Sequence, residues 1–133
     1  MSNDGKEPIW TGFGEGAPLT FRELQRENVA RVPSFGMDLE TWSPMEWCCA
    51  ASGELGELAN VLKKRQRKPH PTLPNCDVTG KPTPTLKDAA DEIADTIIYL
   101  DLLASRLGID VSNAVRSKWN EVSAKMKHDR RLA

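Results

Sequence analysis

Apolar residues return along this chain at intervals of three and four. From Cys48 they fall at 48, 51, 55, 58 and 62, the period of a helix with one buried face. The same period runs through Leu86, Ala89 and Ala90, Ile93, Ile97, Leu100, Ala104 and Leu107. Two shorter stretches carry Leu24 and Val29, and Val111, Ala114, Val115, Trp119 and Val122. The ends are signposted. Thr20 with Glu23 and Ser43 with Glu46 match capping boxes, Pro44 suits the first helical position, and Asp110 is an N-cap. Gly108 marks a helix end. Four helices are predicted, over 19–31, from 44 to just before Pro69, over 86–107 and over 111–126. No stretch alternates with period two, so the expected class is all-α, a four-helix-bundle type of fold.

Between the helices the composition changes. Residues 1–18 hold four glycines and two prolines without period, and read as an extended arm anchored by Trp10 and Phe13. Residues 69–85 hold five prolines and a glycine, which excludes helix and central strand. They are expected to form a long, functional or mobile loop within a single helical domain, 19–127. The end, 128–133, is charged and expected to fray.

Charge is nearly balanced, 18 basic against 19 acidic residues, which gives no general attraction to nucleic acid or anionic membrane. No run approaches the roughly 20 apolar residues that span a bilayer, and the polar start lacks the core of a secretory signal. Cys48 and Cys49, adjacent in an apolar helix, suit buried thiols in a reducing compartment, so the cytosol is the expected location. Cys76 lies near His70, but two further zinc ligands at credible spacing are missing.

The chemistry concentrates on four carboxylates. Glu54 and Glu57 stand one turn apart beside the first long stripe, and Glu92 and Asp95 repeat the arrangement on the next helix. Such like-charged pairs oppose a helix by roughly 0.2–0.5 kcal/mol each. At about 100° per residue, Glu54 lies roughly 70° and Glu92 roughly 110° from the centre of its stripe. Antiparallel packing would bring the two pairs together across a groove, where they would repel or protonate without a cation. Oxygen ligands without His or Cys select Mg²⁺, with Mn²⁺ possible. Redox di-iron would want Glu-x-x-His pairs, and His70 and His128 do not supply them. Taken singly, each acidic pair reads first as solvated surface; it is the recurrence on consecutive helices that favours the metal site.

The stretches "GELGELANVLKK", "DEIADTIIYLDLLASRLGID" and "AVRSKWNEVSAKM" resemble the MazG-like all-α nucleoside triphosphate pyrophosphohydrolases, over residues 40–126. The resemblance is greatest to small single-domain bacterial and phage members and their relatives acting on dCTP and dUTP. It implies conversion of a (d)NTP to the monophosphate and pyrophosphate, with Glu54, Glu57, Glu92 and Asp95 as catalytic metal ligands, or with Glu57 orienting the water. It also implies that Lys118 and Asn120 lie near the phosphates, that Tyr99 and Trp42 contact the base, and that the protein is a homodimer or homotetramer. The 34 residues between Glu57 and Glu92 exceed the usual family spacing.

Other residues carry two readings. Lys63, Lys64 and Arg65 attract an anion or simply complement a helix C-terminus. Asp88 supports Glu92 or caps its helix. Trp47 and Trp119 are expected to pack. Gly53 and Gly56 leave room for a close helix or a ligand, and Ile98 and Leu102, off the main stripe, suggest a face covered by a second copy. The competing functions are a non-catalytic helical interaction or nucleotide-sensing module, and a phosphohydrolase acting on another nucleotide such as phosphoribosyl-ATP.

Overall fold

The computed structural model describes residues 16–133; the predicted arm, with Trp10 and Phe13, lies mostly outside them. Four α-helices follow in order: α1 (Phe21–Arg31), α2 (Pro44–Arg65), α3 (Leu86–Arg106) and α4 (Val111–Lys125). Short 3-10 turns at Val32–Phe35 and Leu39–Thr41 join α1 to α2. Among the described residues no strand forms; isolated bridges pair Pro69 with Asp77 and Cys76 with Pro82. The chain is an all-α helical bundle, and no described helix is long and apolar enough to cross a membrane.

The boundaries follow the local chemistry. Thr20 and Ser43 accept from the backbone N–H of Glu23 and Glu46, whose carboxylates reach back to the cap residues' N–H groups. Thr85 and Asp88 do the same for α3, so Asp88 is a capping carboxylate, held below its ordinary pKa by hydrogen bonds from the Thr85 backbone and hydroxyl. Gly108, at φ 70°, takes the left-handed conformation that lets the chain leave α3, and Asp110 caps α4.

α2 and α3 form the main packed pair and run antiparallel. Trp47 near the start of α2 meets Tyr99 late in α3 at 6.3 Å between centroids, while Arg65 at the end of α2 donates to the Pro84 carbonyl just before α3. α1 lies on the other side of α3. The core gathers Val32, Trp47 and Leu102, with Trp42, Ile98 and Tyr99 against them. Trp47 donates its ring N–H to the Leu39 carbonyl at 3.1 Å, which ties the connecting segment to α2.

Several expectations change. In α2 the inward residues are Trp47, Ala51, Glu54, Leu58 and Val61, while Leu55 and Leu62 are exposed. The inward face is thus turned by roughly 60° from the apolar stripe at about 100° per residue. Cys48 and Cys49 are exposed free thiols, not buried ones. In α3, Ile93, Ile97 and Leu100 are exposed, whereas Leu102 is in the core with Ile98 packed on it. The uncovered face of α3 is therefore the stripe itself, not the side bearing Ile98 and Leu102. Trp119, Val115 and Val122 of α4 are exposed as well. A period count registers every apolar residue that wants cover, whether its own chain supplies that cover or not.

The ends and loops are better tied than composition suggests. Asn120 exchanges two hydrogen bonds with the Leu132 backbone, so the tail folds back on α4 instead of fraying. The 69–85 loop is organised around Asp77, which is 2% exposed. That carboxylate accepts from the Thr79 N–H and hydroxyl, the Lys81 N–H and the Arg67 guanidinium. The loop has an internal hydrogen-bonded frame.

Candidate metal centre

Antiparallel packing brings Glu54 of α2 against Glu92 and Asp95 of α3. Each offers a carboxylate oxygen within 4.8 Å of the others. Glu54 and Glu92 are half-buried and Asp95 is exposed, so the cluster sits at the mouth of the α2–α3 groove. The turn of both helices explains the placement. In α2, Glu54 falls near the middle of the inward-facing residues rather than at their edge.

The electrostatics at Glu92 disfavour its own negative charge. Burial raises the pKa of the Glu92 carboxyl, and the charges of Glu54, Glu57 and Asp95 raise it further. A hydrogen bond shared with Glu54 acts in the same direction. Oxygen-only donors at this separation can hold a hard divalent ion. Glu57 is exposed and stands outside the group of three, close enough to act on Glu92 through its charge.

Beside the carboxylates opens a cleft of about 440 Å³. Asp95 belongs to its wall together with Trp42, Trp47 and Tyr99. Trp42 and Trp47 are 4.6 Å apart between centroids and tilted by 55°, an aromatic packing that fixes both rings. The two aromatics singled out by the resemblance, Trp42 and Tyr99, thus meet in one cavity next to Asp95. Arg31 and Phe35, at the end of α1 and in the following turn, complete the wall. Sequence reasoning missed both, because only the fold brings that turn across to α3. The one local hint was Pro33, which ends α1 and starts the turn.

The basic residues lie elsewhere within one chain. Lys118 pairs with Glu121 at 3.1 Å, and the Asn120 amide is engaged with Leu132. Lys118 lines a larger cavity of about 660 Å³ along α4, with Trp119, Val122 and Met126, and none of the four carboxylates is in its wall. Its lining is almost wholly apolar, so it is an open helix flank rather than a chemical site. Lys63 and Lys64 are exposed in the last turn of α2, with Lys64 roughly 10 Å along the axis from Glu57. Nor do Gly53 and Gly56 meet a close helix among the described residues, since a Cβ at either would meet nothing within 4 Å there.

No protein-family model matches the chain, and no curated protein matches its sequence.

Proposed function

We propose that the protein is a divalent-metal-dependent nucleoside triphosphate pyrophosphohydrolase of the MazG-like kind. The observation that carries this reading is the convergence of Glu54, Glu92 and Asp95 at the edge of an aromatic cleft. A carboxylate trio suits Mg²⁺ or Mn²⁺, and an aromatic-lined cavity beside it suits a nucleoside base. Together they span the two ends of a nucleotide.

A bound divalent ion would neutralise phosphate oxygens and lower the barrier to attack by water. In this reading Glu54, Glu92 and Asp95 would hold the ion. Glu57, at the rim, orients the water and takes its proton as the water oxygen bonds to the α-phosphorus. The α–β bridging bond breaks, releasing pyrophosphate and leaving the monophosphate. Trp42 and Tyr99 hold the base so that the α-phosphate faces the carboxylates. Lys63 and Lys64 add a diffuse attraction for the triphosphate.

A second copy of the chain would cover the exposed stripes of α3 and α4, giving a homodimer or homotetramer in the cytosol. Lys118 and Asn120, engaged on α4 within one chain, enter the phosphate-binding reading only if that assembly carries them to a partner's groove. Sedimentation of the purified protein checks the assembly: a monomer at micromolar concentration would remove this part.

The direct test is pyrophosphate release from a panel of ribo- and deoxynucleoside triphosphates with Mg²⁺, extended to phosphoribosyl-ATP. Turnover that disappears in Glu54→Gln and Glu92→Gln with folding intact supports the enzyme. An inert protein that still binds nucleotide is instead a sensing module.

A further inference from the structure

Of the described residues lining the aromatic cleft, Arg31 is the only cation and Asp95 the only anion, and Asp95 belongs to the carboxylate cluster. Arg31 is held from two sides. Its guanidinium lies 5.7 Å from the centroid of the Phe35 ring, and one of its N–H groups donates to the Asn28 side-chain oxygen at 3.3 Å. Asn28 is itself buried, 4% exposed, and its amide orientation is fixed from behind. Its nitrogen donates to an Asp101 carboxylate oxygen at 2.8 Å, an acceptor that leaves the Asn28 oxygen facing Arg31. Asp101 is 2% exposed and accepts no other side-chain hydrogen bond among the described residues, so orienting Asn28 is its one visible polar task.

A buried carboxylate and a buried amide are costly ways to fill the α1–α3 interface. What they accomplish is a fixed guanidinium at the wall of the cleft, remote in sequence from the four acids. A guanidinium has donors only. Toward the purine 6-position or the pyrimidine 4-position of a base in the cleft it pairs with a carbonyl oxygen and repels an exocyclic amine. It pairs best with guanine, whose O6 and N7 accept two parallel N–H bonds.

We propose that Arg31 is the specificity-determining residue of this cleft, and that it selects nucleotides with oxo bases (guanine, uracil, thymine) over the amino bases adenine and cytosine. Asn28 and Asp101 are positioning residues that hold it. The inference rests on the pyrophosphohydrolase reading and names its substrate class.

The test measures kcat/KM for dGTP, dATP, dUTP and dCTP with Mg²⁺ in the wild-type chain, Arg31→Met and Asn28→Ala. The wild type is expected to favour dGTP over dATP, and dUTP over dCTP, by about ten-fold or more. Arg31 is exposed, and Arg31→Met is expected to fold normally and bring both ratios to within about two- to three-fold, chiefly by raising KM for the oxo substrates. Asn28→Ala is expected to lower the same ratios, whereas a purely structural loss would reduce all four substrates alike. A wild type that prefers dATP and dCTP overturns the inference. So does an Arg31→Met variant that loses activity equally on all four, the signature of phosphate binding. In either case the parent reading stands. Absence of turnover on every nucleotide removes the parent reading and this inference with it.

Discussion

Two carboxylate sites in this chain are built on opposite terms. Asp77 in the 69–85 loop is surrounded by donors: the Thr79 N–H and hydroxyl, the Lys81 N–H and the Arg67 guanidinium. These hydrogen bonds, led by Thr79 and Arg67, hold its carboxyl far below the ordinary Asp range. Glu92 in the groove meets burial and three other carboxylates, and its pKa is pushed up. In the first case the chain supplies the countercharge itself, and the charge organises a loop. In the second the chain supplies only more negative charge and leaves compensation to something else. A carboxylate that its own chain satisfies is architecture; a group that its own chain leaves in repulsion is a candidate place for a ligand.

Breaking this contrast should show first in activity. Glu92→Gln or Glu54→Gln is expected to lower kcat for pyrophosphate release by at least about 10²-fold, measured on the best substrate of the panel. Asp77→Ala is expected to act on the fold instead, lowering Tm by on the order of 10 °C in a thermal melt while kcat at low temperature is retained. A smaller effect has the opposite sign. In metal-free protein, Glu92→Gln removes a repelled charge and is expected to raise Tm by about 3 °C, so the variant is more stable and inactive. The smallest effect is in the acid limb of stability. The folded pKa of Asp77 is depressed, so its contribution is complete above the unfolded value near 3.8 and fades as pH falls below that value. Asp77→Asn should therefore flatten the loss of stability below about pH 4 in denaturant titrations at stepped pH. An unchanged acid limb would mean that the loop's hydrogen bonds matter little to folding.

The sequence revealed the helices more fully than the faces they bury. Thr20, Ser43 and Asp110 mark helix starts through hydrogen bonds made within four residues, so local reading suffices for them; Thr85, not singled out from the sequence, caps α3 in the same way. The convergence of Glu54, Glu92 and Asp95 was legible for a similar reason, since i,i+3 spacing puts each acidic pair on one helix side, while Glu57 stays outside the group. Which side turns inward was not legible. Leu55, Leu62, Ile93, Ile97 and Leu100 form the stronger apolar stripes yet stay exposed in the single chain, while the inward positions include Glu54, Glu92 and Tyr99. The Arg31–Asn28–Asp101 chain was hidden too, because it links residues 73 positions apart that carry no periodic signal. Asp101 offered one clue, a lone carboxylate beside Leu100, Leu102 and Leu103.

The central claim is that Glu54, Glu92 and Asp95 form one divalent-metal site. Calorimetric titration of the metal-free protein with Mn²⁺ tests it without any nucleotide. The wild type is expected to bind the ion saturably and to gain Tm as the ion is added, while Glu92→Gln, still folded, loses most of the heat and all of the thermal gain. Equal binding by the wild type and Glu92→Gln, or no binding by either, would contradict it.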